Sequence, residues 1–139
     1  MRYLLAFLSL AGLVISTMAL RIHYSNAVEP CSINEHWDCG IVNHSSYSML
    51  FHTIPVAALG MAGYLALGIL ALARRRIMFL ATAIFGFAFA LRLSGIERNV
   101  LQVWCLYCVI SQCIIALITL FGIAWLVAHE RSKSRLKSA

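Results

Sequence analysis

Apolar residues fall in four long charge-free stretches, 3–20, 39–73, 77–91 and 99–128, and lack the short polar-apolar alternation of a water-exposed fold. About 20 apolar residues at a rise of 1.5 Å each cross the roughly 30 Å hydrocarbon core of a bilayer. The pattern therefore predicts an all-α integral membrane protein, a four-transmembrane-helix bundle with helices at about 3–22, 53–73, 77–96 and 103–128. The third helix runs past its charge-free stretch because Arg92, near the interface, can extend its long side chain to the polar region and be satisfied by Glu97 or water. The longest polar connection, residues 23–52, contains Pro30, Cys31 and Cys39 and reads as an outer loop. Its end, Ser46 to Phe51, suits a short interfacial helix before Pro55 opens the second span. The connection at about 94–103 is short, and residues 129–139 form a tail, so the chain reads as one membrane domain, 1–139. In the second span Gly60, Gly63 and Gly68, with Ala57, Ala58, Ala62, Ala66 and Ala71, make a small-residue face suited to close helix packing.

Composition strengthens the class. Of 139 residues 62% are hydrophobic and 12% charged, and the mean hydropathy is +0.86, against about 45–50% and 25% in soluble domains. A soluble enzyme, a nucleic-acid module and a disordered binder are excluded, and membrane lipid is the expected surrounding. The net charge of +6 is explained by position. Arg2, Arg74 to Arg76, Arg131, Lys133, Arg135 and Lys137 share one side, which is then cytoplasmic. Arg21, Arg98, Glu29, Glu35, Asp38 and Glu97 lie opposite. Both termini are expected in the cytoplasm. Arg2, the apolar run from Leu4 and the small residues Ser16 to Ala19 also fit a cleavable signal peptide, but cleavage would leave three helices, a poor bundle.

Candidate chemistry comes from the cysteines. Cys31, Cys39, Cys105 and Cys108 all fall at the outer, oxidising face, whereas Cys113 reads as a small structural hydrophobe inside a helix. Cys105-Leu106-Tyr107-Cys108 is a CxxC at a helix N-terminus, where the macrodipole and free N–H groups favour thiolate. Cys31 and Cys39 enclose seven residues; they can close on each other as a static staple, or reach the CxxC in a relay of disulfide exchanges. Cys31, His36, Cys39 and His44 make a conceivable zinc set, but they lack the tight knuckle spacing and the oxidising side disfavours it, so no metal is expected.

These motifs resemble the vitamin K epoxide reductase family, including its bacterial homologues. The resemblance rests on Cys31 to Cys39, Ser45 within Asn43-His44-Ser45-Ser46-Tyr47, the run Ile54-Pro55-Val56-Ala57-Ala58-Leu59-Gly60 with Gly63-Tyr64, and Cys105 to Cys108, and it covers about residues 10–128. The DsbB family does similar chemistry with the CxxC in the first outer loop and the wider pair in the second. Here the order is reversed.

The resemblance implies a membrane thiol-disulfide oxidoreductase that couples oxidation of a partner's thiols to reduction of a quinone (ubiquinone, menaquinone or vitamin K type). Cys31 would exchange with the partner, Cys39 would form a mixed disulfide with Cys105, and Cys108 would face the quinone, with Ser45 as a hydrogen-bonding support or a helix cap. Many bacterial members carry a fused thioredoxin-like domain. This chain ends eleven residues after Ala128, so the expected partner is a separate thioredoxin-like, DsbA-like protein on the outer side of a bacterial inner membrane. Vertebrate members have an Asn where Val56 stands and a Tyr where Gln112 stands, which favours ordinary quinone reduction over epoxide reduction. The rival readings are an epoxide or quinone reductase working for quinol supply, and a non-enzymatic membrane subunit whose loop disulfide is structural.

Overall fold

In a computed structural model, which describes residues 1–25 and 31–139, 81% of the described residues are helical. Helix α1 spans Arg2–Tyr24, α2 Cys39–His44, α3 Val56–Leu72, α4 Arg76–Ile96 and α5 Leu106–Ser138; a two-stranded hairpin, β1 Met49–Leu50 and β2 Ile54–Pro55, precedes α3. Helices α1, α4 with its extension to Leu101, and α5 are long and apolar enough to cross a membrane, while α3 is apolar but shorter at 17 residues. Each expected span coincides with one of these four helices. Large apolar side chains such as Phe7, Leu10, Ile77 and Leu120 face outward, as a lipid solvent permits. Glu29 and Pro30 lie outside the described residues.

The bundle is held most closely between α1 and α3, where small residues let the backbones approach. Gly12 lies against the Tyr64 ring, Gly60 against Ser16 and Gly68 against Ser9. A core of Leu5, Tyr64, Leu67, Ala71, Phe79, Ala83, Ile115 and Ile118 joins all four helices. Phe79 packs on Gly122 and meets Trp125 edge to face, with ring centroids 6.1 Å apart. Thr119 donates its hydroxyl to the Ile115 carbonyl at 2.8 Å, so its polar group is satisfied inside its own helix.

Local chemistry sets the ends. Asp38 caps α2 by accepting from the Ile41 N–H at 3.1 Å. Arg74 takes φ +57° after α3, with its N–H on the Ala71 carbonyl and the Arg75 N–H on the Leu70 carbonyl, a Schellman closure with arginine where glycine is usual. The turn thus carries three cations at one end of the α3–α4 pair.

Three expectations change. The short helix of the long connection is α2, whereas Ser46–Ser48 makes only one 3-10 turn. The Ser45 and Ser48 hydroxyls bind the Val42 and Ser45 carbonyls, both at 2.7 Å, which ends helical pairing. Phe51 and His52, at φ 53° and 59°, then reverse the chain into the hairpin. The third helix does not stop at 96 but continues through a π-helical turn, Glu97–Leu101. Residues 129–138 continue α5 as helix.

A Cβ at Gly12 would run into the Tyr64 ring, which cannot swing away because its hydroxyl is bound to Ser111 at 2.8 Å. Gly12→Ala should destabilise the protein by about 1–3 kcal/mol, read as a lowered thermal midpoint in detergent. Gly63→Ala, where a Cβ meets nothing within 4 Å, should leave the midpoint unchanged or slightly raised; equal behaviour of the two variants would refute the packing argument.

Candidate functional site

Two features meet where α1, α2 and the start of α5 converge: a sealed cluster of sulfurs and an apolar cavity below it. The cluster is assembled by backbone pairing between segments far apart in sequence. The Trp104 N–H donates to the His36 carbonyl at 2.8 Å and the Asp38 N–H to the Trp104 carbonyl at 3.1 Å, a parallel bridge that aligns Trp37 with Trp104. Cys39 and Cys105 follow directly in the two paired segments. A tight turn, with Ile33 N–H on Trp37 O at 3.0 Å and Trp37 N–H on Asn34 O at 3.1 Å, folds Cys31 back onto Cys39.

Cys31 and Cys39 form a disulfide with their Cα atoms 5.9 Å apart, a bond that a static staple and the closed state of a relay have in common. Both pack with Cys105, Ile22 and Val42, and the three sulfur residues are at most 2% exposed. Cys105 and Cys108 are free thiols.

The CxxC opens α5 as expected. Cys105 is the N-cap, its Sγ accepting from the Cys108 N–H at 3.4 Å. Asn43, buried in α2, donates from Nδ2 to the Cys39 carbonyl at 2.8 Å and to Cys105 Sγ at 3.7 Å. The hydrogen bond from the Cys108 side chain, with backbone N–H groups of Cys108 and Tyr107, holds the Cys105 thiol below its ordinary range despite burial and the nearby Glu97 carboxylate. Because the folded value is depressed, thiolate stabilisation is present above the unfolded thiol range and is lost as pH falls through the folded value.

The cavity, about 260 Å³, is lined by Ser16 and Ala19 of α1, Asn43 of α2, Val56, Gly60 and Tyr64 of α3, Phe85 and Phe89 of α4, and Tyr107, Cys108 and Ser111 of α5. Of the four candidate cysteines only Cys108 lines it. Ser45 also lies on its wall; its hydroxyl is donated to the Val42 carbonyl in the last turn of α2 and does not cap the turn that follows. Gln112 is hydrogen-bonded to Ser94. Cys113 is exposed on α5 and does not line the cavity, in line with its reading as a residue apart from the Cys108 site. Its five-residue offset from Cys108 turns it about 140° around the helix.

Glu97 is 3% exposed, and its carboxyl group accepts from the Cys105 N–H at 3.4 Å on the wall of the cavity that Cys108 also lines. It does not serve Arg92, which is exposed. Asn43 and Glu97 were missed as site residues. Asn43 stood inside the Asn43-to-Tyr47 motif, and Glu97 was an acid in the short connection eight residues before Cys105; these were the signals present.

Removing the Asn43 donor should return Cys105 toward ordinary thiol behaviour. Ultraviolet thiolate titration of Asn43→Ala, referenced to a Cys105→Ser protein, should show the Cys105 transition moved to higher pH, and a transition that stays in place would exclude Asn43 from thiolate support.

Comparison with known proteins yields one family: the model of the vitamin K epoxide reductase family matches residues 3–125. No curated protein matches the chain significantly.

Proposed function

This chain belongs to the vitamin K epoxide reductase family, and we propose that it is a membrane thiol-disulfide oxidoreductase that passes electrons from a thioredoxin-like partner's thiols to a quinone, in support of disulfide-bond formation. Members of the family are in general quinone-dependent oxidoreductases. The observation that carries the reading is the division of the sulfurs: Cys105 is buried with the Cys31–Cys39 disulfide, while Cys108, one helical turn on, borders the apolar cavity.

In the proposed sequence one partner thiolate opens the Cys31–Cys39 disulfide at Cys31 and releases Cys39. The partner's second thiolate then attacks the partner sulfur of that mixed disulfide, closing the partner's disulfide and freeing Cys31. Cys39 attacks an oxidised Cys105–Cys108 pair at Cys105, and Cys31 then resolves the mixed disulfide by attacking Cys39. The products are a closed Cys31–Cys39 bond and two free thiols, which is the oxidation state of the four residues here. The cavity suits a quinone ring, being apolar with a few polar groups such as Tyr64 and Ser111 on its wall. A quinone bound there supplies a two-electron, two-proton acceptor. Cys108 is the sulfur in reach of it, Ser45 supports the wall, and Cys105 closes the new disulfide.

We further take the chain as one membrane domain, 1–139, in a bacterial inner membrane, with four spans and both termini cytoplasmic. The side bearing Arg2, Arg74 to Arg76 and the basic end of α5 supports that orientation. α3 reaches about 26 Å at 1.5 Å per residue, and the hairpin before it supplies further length. Val56 on the cavity wall and Gln112 bonded to Ser94 favour quinone over quinone epoxide.

Cys108→Ala should abolish quinone reduction and accumulate a Cys39–Cys105 disulfide detectable by mass spectrometry, while Cys113→Ala should keep turnover within a few fold. Absence of the mixed species under several redox poises, or equal inactivity of a folded Cys113→Ala protein, would overturn the electron path. Reporter fusions at Arg75 and at the C-terminus should both report the cytoplasm; an external C-terminus would overturn the topology.

A further inference from the structure

The π-helical turn at the end of α4 breaks the regular α-helical ladder for five residues, Glu97–Leu101. Such turns re-aim side chains and recur at functional sites. Here the turn coincides with a carboxyl group directed into the protein beside the CxxC. Glu97 is 3% exposed, lines the cavity together with Cys108, and accepts from the Cys105 backbone N–H at 3.4 Å. A carboxyl buried at an apolar cavity is costly, and this one shares the cavity wall with the sulfur that borders it.

Two other polar side chains at the cavity are bound to partners of their own. The Tyr64 hydroxyl is bound to Ser111 at 2.8 Å. His23 Nδ1 is bound to the Asn43 carbonyl. Arg98, the neighbour of Glu97, is exposed.

We propose that Glu97 is the proton acceptor and donor for Cys108, taking the thiol proton as Cys108 becomes a nucleophile and delivering it into the cavity. The inference rests on the oxidoreductase reading above. The step balances as follows. Cys105 enters as thiolate and Cys108 as thiol; a bond forms between the two sulfurs, which together lose two electrons to the quinone. The Cys108 proton passes through the Glu97 carboxylate to one quinone oxygen, one proton from water reaches the other, and Glu97 ends as it began. General acid-base transfer of this kind contributes about a hundred-fold or more to rate.

The test pairs turnover with a readout that needs no quinone. Glu97→Gln preserves size and an acceptor for the Cys105 N–H, and should lower kcat for quinone reduction about a hundred-fold with KM for quinone little changed. Glu97→Asp should recover at least part of that loss. Exchange between the Cys31–Cys39 disulfide and a reduced thioredoxin-like protein should proceed at the wild-type rate in both variants. Infrared difference spectra of quinone-free protein, between the dithiol and disulfide forms of Cys105–Cys108, should contain a shift of carboxylate stretching bands that vanishes in Glu97→Gln. A folded Glu97→Gln protein with wild-type kcat overturns the proposal, as does a wild-type difference spectrum without the carboxylate shift. Wild-type protein that shows the shift but reduces no quinone would defeat the oxidoreductase reading while leaving the link between Glu97 and Cys108 in place.

Discussion

Two backbone hydrogen bonds, from Trp104 to His36 and from Asp38 to Trp104, are the constraint on which the site depends. They join a segment after α1 to the residue just before α5. Without them nothing in the chain's connectivity would bring Cys39 beside Cys105. A net contribution of about 1 kcal/mol per bond is modest, but the paired segments lead directly into the fully buried Cys39 and Cys105, where backbone left without a partner costs more than a formed bond gains. The bridge is therefore held by what its absence would cost. Asp38 adds to it at the same point, since its backbone makes the bridge and its side chain caps α2, so one residue fixes both the pairing and the helix that carries Asn43.

Below the bridge, packing decides where the bundle is closed and where it is hollow. Serines and glycines of α1 and α3 bring those helices together with almost no intervening side chain, and Tyr64 fills the space over Gly12. The same helix leaves Gly63 with no neighbour within 4 Å of a Cβ, on the cavity wall. One small-residue face thus serves contact at some positions and vacancy at another, and the cavity is open toward α4 and α5, where Cys108 enters it.

The helices were legible because charge marks where an apolar segment must meet polar surroundings, and each of 3–22, 53–73, 77–96 and 103–128 falls on a helix. The ends were less legible for the same reason: charge marks the edge of the apolar region and not of the helix. Arg131, Lys133 and Arg135 are good helix formers, so α5 runs on to Ser138. The π turn leaves no periodic signature. The four cysteines could be named from spacing and from the family they resemble, but Asn43 and Glu97 could not be given a task. The Asn43 contact to Cys105 crosses 62 residues of sequence, and the Glu97 contact depends on a turn that ordinary helical periodicity does not contain.

The geometry also explains why the two sulfurs of one CxxC are not interchangeable. Cys105 sits at the helix N-terminus with donors on several sides, from Cys108 and Asn43, and those donors favour its charged form. Cys108 is itself one of the donors and faces an apolar volume, where a charge has little solvation. Electrostatics thus separates the pair into a stabilised thiolate beside the Cys31–Cys39 disulfide and a thiol beside the cavity, one helical turn apart. A motif of four residues can then connect two environments that differ in polarity, because the first turn of α5 begins among hydrogen-bond donors and points its next face into an apolar space.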